Sequence, residues 1–421
     1  MQILVWGLGY VGTVSAVCFA RLGHKVIGVE PNQKKVDSIN SGGSAVREPG
    51  VSELVAQAVA TGALRATSDP ANDIPESDVS LICVGTPSQP DGSADLGFIR
   101  SVAQELGAGI ATSDRFHTVI LRSTVLPGVT RSVLVPLLEE ASGKKAGDGF
   151  GVVMNPEFLR EATAIKDFDA PPYTIIGELD SRSGDVAEAL YGGVDAPIHR
   201  VPLETAEMLK LGNNAFHALK IGFANEMGRI ADSLEVDGKQ VMELICADRK
   251  LNISSAYMRP GFAFGGSCLP KDLRSLNHYA RSAALDVPIL GGILPSNSVQ
   301  IDAARRRIAE RNTKAVGVLG LSFKPNTDDL RESPTLALVR SLWQDGFDVL
   351  VGDPDIDLEQ MLGANLEYLE RQLPQIHQIF CADLEQVVKR AELIVVTHRR
   401  AEYDDVLSRS GVDPDRVIHL A

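Results

Sequence analysis

The first thirty residues leave few folds open. An apolar run, Gln2–Trp6, leads into Gly7-Leu8-Gly9-Tyr10-Val11-Gly12; the pattern then predicts a helix from about Val11 to Leu22 and, after Gly23, a second strand from Lys25 to Glu30. Strand, helix and strand in so short a span force a parallel sheet with a crossover connection. The G-x-G-x-x-G spacing permits a tight turn and close backbone approach to a pyrophosphate resting on a helix N-terminus. Glu30 closes the next strand, where a carboxylate accepts hydrogen bonds from adenosine ribose hydroxyls and repels a 2′-phosphate. NAD is therefore expected over NADP. The plainer alternative for Glu30 is a solvated strand-end acid.

Further strands are expected at Val79–Val84, Thr118–Arg122 and Val152–Met154, each running into a polar or Pro/Gly segment: Gly85-Thr86-Pro87, Ser123-Thr124-Val125 and Asn155-Pro156-Glu157. Ligands bind beyond the carboxyl ends of parallel strands, so these three segments are candidate site loops. Residues from about Pro202 to Ser298 show helical periodicity. The last part returns to the opening pattern, with strands at Ala315–Leu319 and Val349–Asp353, a helix at Thr335–Gln344, and Leu393–Val396 echoing Leu81–Val84. The expected fold is α/β, with two Rossmann-like doubly wound domains (1–201 binding NAD, 301–421 binding the other substrate) joined by a central helical domain, 202–300. At 421 residues, two to three domains is also the natural division.

A net charge of −14 without a dense Lys/Arg block argues against nucleic acid or an anionic membrane as partner. No apolar run reaches the roughly 20 residues that span a bilayer, and the N-terminus reads as a strand entering a glycine turn, not a signal peptide. Five widely spaced cysteines without a CxxC pair make disulfides and metal sites poor readings and favour a reducing, cytoplasmic setting.

From Leu203 to Leu234 one long helix is expected. Glu207, Lys210, Asn214, His217, Ile221 and Asn225 recur along it at steps of three or four and share a sector of roughly 80°. The remainder is mainly apolar, so the helix should be substantially buried and its polar stripe should find partners. A solvent-facing strip is the alternative, but one lysine, two asparagines and a histidine suit a ligand better than water. The most informative loop runs Met258-Arg259-Pro260-Gly261-Phe262-Ala263-Phe264-Gly265-Gly266-Ser267-Cys268-Leu269-Pro270-Lys271-Asp272. A thiol at or just before a helix start, with lysines at 271 and 210 available, makes a competent nucleophile. Read from the loop alone, a structural cysteine fits equally well. Cys18, Cys83, Cys246 and Cys381 lie in apolar patterns and read as inert core residues.

Taken together, the N-terminal fingerprint, Asn155-Pro156-Glu157-Phe158-Leu159-Arg160-Glu161, Lys210 with Asn214, Gly265-Gly266-Ser267-Cys268-Leu269-Pro270-Lys271-Asp272, and Phe323-Lys324 with Asp328–Pro334 resemble the UDP-glucose/GDP-mannose dehydrogenase family end to end. The resemblance implies an NAD-dependent four-electron oxidation of a nucleotide sugar at C6. In it Cys268 is the nucleophile, Lys210 and Asn214 stabilise the oxyanion, and Glu161, Asp272 and Thr124 handle water. It further implies that Gly7, Gly9, Tyr10, Val11, Gly12, Glu30, Lys35, Thr86, Thr124, Lys271 and Arg331 contact NAD. Glu161, Lys210, Asn214, His217, Asn225, Ala256, Tyr257, Arg259, Phe262, Gly265 and Lys324 would contact the nucleotide sugar. Within the family, Asn214–His217, Cys246–Asn252 and Tyr257–Phe264 point to GDP-mannose as substrate over UDP-glucose or a UDP-N-acetylhexosamine. Glu30 stands where the family more often has Asp, which keeps the charge. The resemblance also implies a homodimer or larger homo-oligomer. A one-step hydroxyacid dehydrogenase, or a non-catalytic NAD-binding sensor, shares the architecture but gives no reason for the cysteine loop.

Overall fold

The computed structural model describes residues 1–420 except positions 45, 92, 255, 259, 267, 326, 360, 362 and 363, and the side chains of 364 and 365. It divides into two units, Met1–His217 and Ala218–Ala421.

In the first unit eight strands form one sheet: β1 (Gln2–Trp6), β2 (Lys25–Val29), β3 (Leu64–Thr67), β4 (Val79–Ile82), β5 (His117–Leu121), β6 (Phe150–Met154), β7 (Thr174–Glu178) and β8 (Ile198–Pro202). Their order is β3-β2-β1-β4-β5-β6-β7-β8. The first six follow the doubly wound order, and the chain reverses direction across the sheet between β1 and β4, opening a crevice beyond their carboxyl ends. The sheet is not wholly parallel as expected, because β7 pairs antiparallel with β6. Strands β3, β7 and β8 were not anticipated. β3 alternates buried and exposed residues over only four positions and β8 is only partly covered, so neither makes the apolar run that marks a buried strand.

The sheet is covered on both faces. Val14, Val17 and Phe19 of the first helix, Tyr10–Arg21, fill one side, and Ile99, Leu106 and Leu138 fill the other. That first helix is nearly all buried and lies close to the sheet. A Cβ on Gly12 would sit 1.9 Å from the Gly7 carbonyl oxygen, so only glycine fits.

A 31-residue helix, Leu203–Ser233, runs out of the first unit into the second. Only its ends are buried, contrary to the sequence expectation. Leu203, Ala206, Glu207 and Lys210 are buried at one end and Glu226, Ile230 and Ala231 at the other, while Phe216, Leu219 and Ile221 are exposed in the single chain, Ile221 by 63%. In the second unit, the buried carboxylate of Glu226 accepts from Ile289 N (2.7 Å) and Leu290 N (2.9 Å), the orphan donors that open the helix Pro288–Ala309.

The second unit also holds a parallel four-stranded sheet of β9 (Ala315–Leu319), β10 (Asp348–Gly352), β11 (Leu393–Val396) and β12 (Val417–His419), in the order β10-β9-β11-β12. It repeats the opening turn of the chain with different residues. Gly320 follows β9 with φ +101°, as Gly7 follows β1 with φ +88°. Asp353 at the end of β10 accepts from Leu321 N, as Glu30 at the end of β2 accepts from Leu8 N. Two Rossmann-like folds with a helical centre are thus present, as the sequence predicts. Among the described residues, no helix is long and apolar enough to cross a membrane. Cys246 corrects the expectation for the cysteines: it is exposed, whereas Cys18 is buried and Cys83 and Cys381 are partly so.

Candidate active site

At the crevice of the first sheet, Gly7, Gly9 and Gly12 turn the chain into the first helix. Among the described residues nothing stands within 4 Å of where a Gly9 Cβ would project, so the backbone there is open to a ligand. Glu30, 6% exposed, receives Leu8 N at 3.1 Å and Asn32 N at 3.2 Å, and pairs with Lys35 at 3.3 Å. The backbone donors fix its carboxylate beside the turn, where a ribose would meet it. The residues present therefore fit a dinucleotide. Replacing Glu30 with Ala is expected to raise the KM for NAD by about tenfold or more, since a bonded buried carboxylate is worth about 1.5–3 kcal/mol, and to narrow the preference for NAD over NADP. Steady-state kinetics with both cofactors check it, and an unchanged NAD/NADP ratio would mark Glu30 as purely structural.

Around this turn, Tyr10 donates its hydroxyl to Glu48 at 2.6 Å. Burial and that carboxylate push the phenol well above its ordinary value, so it stays a donor. Val11 lies half-buried in the first helical turn. Across the crevice, Thr86 donates to the Thr124 carbonyl at 2.9 Å, tying the loop after β4 to the loop after β5. Glu207 fixes the same segment. Its fully buried carboxylate accepts from Gly128 N (2.6 Å), Thr130 N (2.8 Å) and Thr130 Oγ1 (2.6 Å). Glu207 thus anchors the start of the long helix and does not face a ligand.

One turn further along that helix is Lys210. It is 7% exposed and donates to Glu157 Oε1 at 2.9 Å, with its ammonium 5.5 Å from the centre of the Phe158 ring. The second oxygen of Glu157 accepts from Leu159 N at 2.6 Å. Sequence reasoning singled out Lys210 but not Glu157 as its partner. A lysine on an apolar helix needs a buried counter-ion, and Asn155-Pro156-Glu157 already stood out as a strand-end loop. Both signals were present without a way to pair them.

Beneath this loop is a cluster that sequence reasoning missed altogether. Arg122, 4% exposed, donates from Nη1 to Asn155 Oδ1 at 2.6 Å and to the Tyr191 hydroxyl at 2.9 Å, while its Nε has no hydrogen-bond partner among the described residues. Tyr191 donates in turn to Asn155 Oδ1, and Asn155 Nδ2 to the Ile175 carbonyl of β7. Arg122, Asn155, Glu157, Phe158, Tyr173 and His217 line a cavity of about 380 Å³. Of the remaining stripe residues, Asn214, His217 and Asn225 are exposed, as is Glu161.

The second unit carries the cysteine. Cys268 is exposed and caps the helix Leu269–Ser282, whose first bond runs from Asp272 N to the Cys268 carbonyl. The thiol is within electrostatic reach of Lys271 and Arg331. These cations are engaged with acids: Lys271 with Asp272 at 2.6 Å, and Arg331 with Asp329 through two bonds of 2.9 and 2.8 Å. The Arg331 guanidinium holds the Asp329 carboxyl below its ordinary range.

The loop before Cys268 is clamped. Phe264 and Asn297 exchange two hydrogen bonds (2.9 and 2.8 Å), and a Cβ on Gly265 would meet the Glu332 carbonyl oxygen at 2.3 Å. Gly266, at φ +89°, lies under the Phe323 ring. Gly265 and Cys268 are thus brought beside the segment that bears Lys324 and Arg331. Lys324 is exposed, Ala256 and Phe262 are half-buried, and Tyr257 is 88% exposed at φ +61°. Arg259 lies outside the described residues.

The dinucleotide turn and the buried acid fixed beside it define an NAD-dependent dehydrogenase. The chain belongs to the UDP-glucose/GDP-mannose dehydrogenase family. The family's NAD binding domain matches residues 1–195, its central domain 204–299 and its UDP binding domain 317–417. The chain is 49% identical over 403 residues to the GDP-mannose 6-dehydrogenase of Pseudomonas putida, covering 96% of this chain and 92% of the relative. It superposes with a TM-score of 0.96 on GDP-mannose dehydrogenase of Pseudomonas aeruginosa, crystallised as a ternary complex, at 47% identity over 100% of this chain and 96% of that one. With the UDP-glucose dehydrogenase of Pyrobaculum islandicum the TM-score is 0.58 and the identity 35%, over 100% and 94% of the two chains. NAD is the cofactor.

Proposed function

We propose that the chain oxidises GDP-mannose at C6 to GDP-mannuronate, with Cys268 carrying the sugar between two oxidations. When bound, NAD supplies the hydride acceptor for each of them. Gly7, Gly9, Tyr10, Val11, Gly12, Glu30, Lys35, Thr86, Thr124, Lys271 and Arg331 are assigned to it. In the first oxidation C6 gives up a hydride while a base takes the proton of its hydroxyl, leaving an aldehyde. Lys210 and Asn214 donate to the C6 oxygen as negative charge develops there. The Cys268 sulfur adds to the aldehyde carbon, forming a C–S bond while the thiol's proton passes to the oxygen. The second oxidation turns that thiohemiacetal into a thioester. Water then attacks, its proton accepted by Glu161 or Asp272 and its position held by Thr124. The C–S bond breaks and the carboxylate leaves.

His217, Asn225, Ala256, Tyr257, Arg259, Phe262, Gly265 and Lys324 are assigned to the nucleotide sugar. The exposed apolar stretch of the long helix supports a homo-oligomer, and the three-part division 1–201, 202–300 and 301–421 follows the change from sheet to helix to sheet.

The observation that carries the substrate choice is the contrast in likeness, a TM-score of 0.96 to a GDP-mannose enzyme against 0.58 to a UDP-glucose enzyme over the whole chain. Incubation with NAD and, in turn, GDP-mannose, UDP-glucose and a UDP-N-acetylhexosamine tests it. GDP-mannose is expected to lead in kcat/KM by about 100-fold or more, because a site built to hydrogen-bond one base leaves buried groups unpaired with another. A lead for UDP-glucose would overturn the choice.

A further inference from the structure

Behind the cysteine loop lies a second cavity, of about 480 Å³, that the reaction does not use. Three arginines line it, Arg274, Arg340 and Arg371, against one carboxylate, Glu332. Glu332 is engaged by Arg274, whose Nη2 and Nη1 donate to it at 2.7 and 3.4 Å. The other two guanidinium groups have neutral partners. Arg340 donates to Gln372 Oε1, and Arg371 lies over the Tyr368 ring, 5.6 Å from its centre. Among the described residues no carboxylate pairs with either. The chain as a whole carries a net charge of −14. A concave surface with two uncompensated guanidinium forks is therefore a local exception, and such forks match phosphate oxygens two at a time. The volume is that of a small-molecule site.

We propose that this cavity is an anion site for a diphosphate-bearing metabolite, separate from the catalytic diphosphate positions, and that its occupancy is felt at the cysteine loop. The link is Glu332. Its backbone is held at φ +55°, in the left-handed region that a glutamate rarely adopts, with its N–H on the Tyr368 hydroxyl at 3.1 Å. Its carbonyl is the atom that leaves Gly265 no room for a side chain. Arg274 sits on the helix that Cys268 caps. An anion that draws Arg274 from Glu332 loosens the residue against which the cysteine loop is packed.

Inorganic pyrophosphate is the probe, titrated calorimetrically into the full chain, the Arg340→Ala/Arg371→Ala double variant and Glu332→Gln. Removing two guanidinium groups is expected to weaken binding at least about tenfold. Removing the one competing carboxylate is expected to tighten it about threefold. Opposite shifts cannot both come from misfolding. Alkylation of Cys268 by iodoacetamide should change in rate with pyrophosphate in the wild type and lose that response in the double variant. Equal dissociation constants in all three proteins, or the same alkylation response in wild type and double variant, would overturn the proposal: pyrophosphate then binds only where the substrate or cofactor diphosphate does.

Discussion

Replacing Cys268 with Ser is expected to lower net formation of the sugar acid by about 10³-fold or more, the scale on which enzymes lose rate with their nucleophile. The thiol is exposed at a helix start, in a loop that Asn297 clamps and that Gly265 and Gly266 pack against the 323–334 segment. Serine fills the same position with nearly the same volume, so the fold and the binding of both ligands should survive. It lacks the sulfur's nucleophilicity, because a hydroxyl is hardly ionised at neutral pH. An ester is also a poorer acyl carrier than a thioester. Rapid mixing with GDP-mannose and NAD, with product analysis, separates the steps. A variant that still makes acid near the wild-type rate would remove the covalent intermediate from the account.

Lys210→Ala is expected to cost about 10²–10³ in kcat, or roughly 3–4 kcal/mol, the usual loss on removing an oxyanion donor from a dry site. It should also lower the melting temperature. Lys210 and Glu157 have side chains only 8% and 12% exposed, and breaking a buried pair from one side costs about 3–5 kcal/mol because the other charge stays behind. The two effects separate in Lys210→Met/Glu157→Gln. That pair of changes should restore most of the stability, since no lone charge remains, without restoring kcat. Recovery of rate along with stability would show that Lys210 only braces the loop after β6.

Most of the sheet framework was legible in the sequence, for a physical reason. The buried parallel strands β1, β4, β5, β6, β9 and β11 are short apolar runs that end in Gly, Pro or polar segments, and the glycine turn fixes the first crossover. Of the strands that escaped notice, β3 and β8 form the sheet's two edges with part of their surface exposed, whereas β7 is buried up to Glu178 and was simply overlooked. The long helix shows the limit of periodicity most clearly. Its apolar residues were read as core, yet Phe216, Leu219 and Ile221 are exposed in one chain, because a pattern records that a face needs cover and not what covers it. The site was legible where one residue type carries the chemistry, as with Cys268, Lys210, Glu30 and the glycines. It was not legible where the chemistry depends on pairs distant in sequence. Glu157 with Lys210, Glu207 with Gly128 and Thr130, and Arg122 with Asn155 and Tyr191 join residues 33 to 79 positions apart, and nothing local announces any of them.

The central claim is that one chain carries a sugar through two oxidations without releasing the aldehyde. Counting NADH formed per GDP-mannose consumed, with excess NAD and the reaction run to completion, tests it most directly. Two NADH per sugar, with the acid as the only product, is the predicted result. One NADH per sugar, with an aldehyde accumulating, would contradict it.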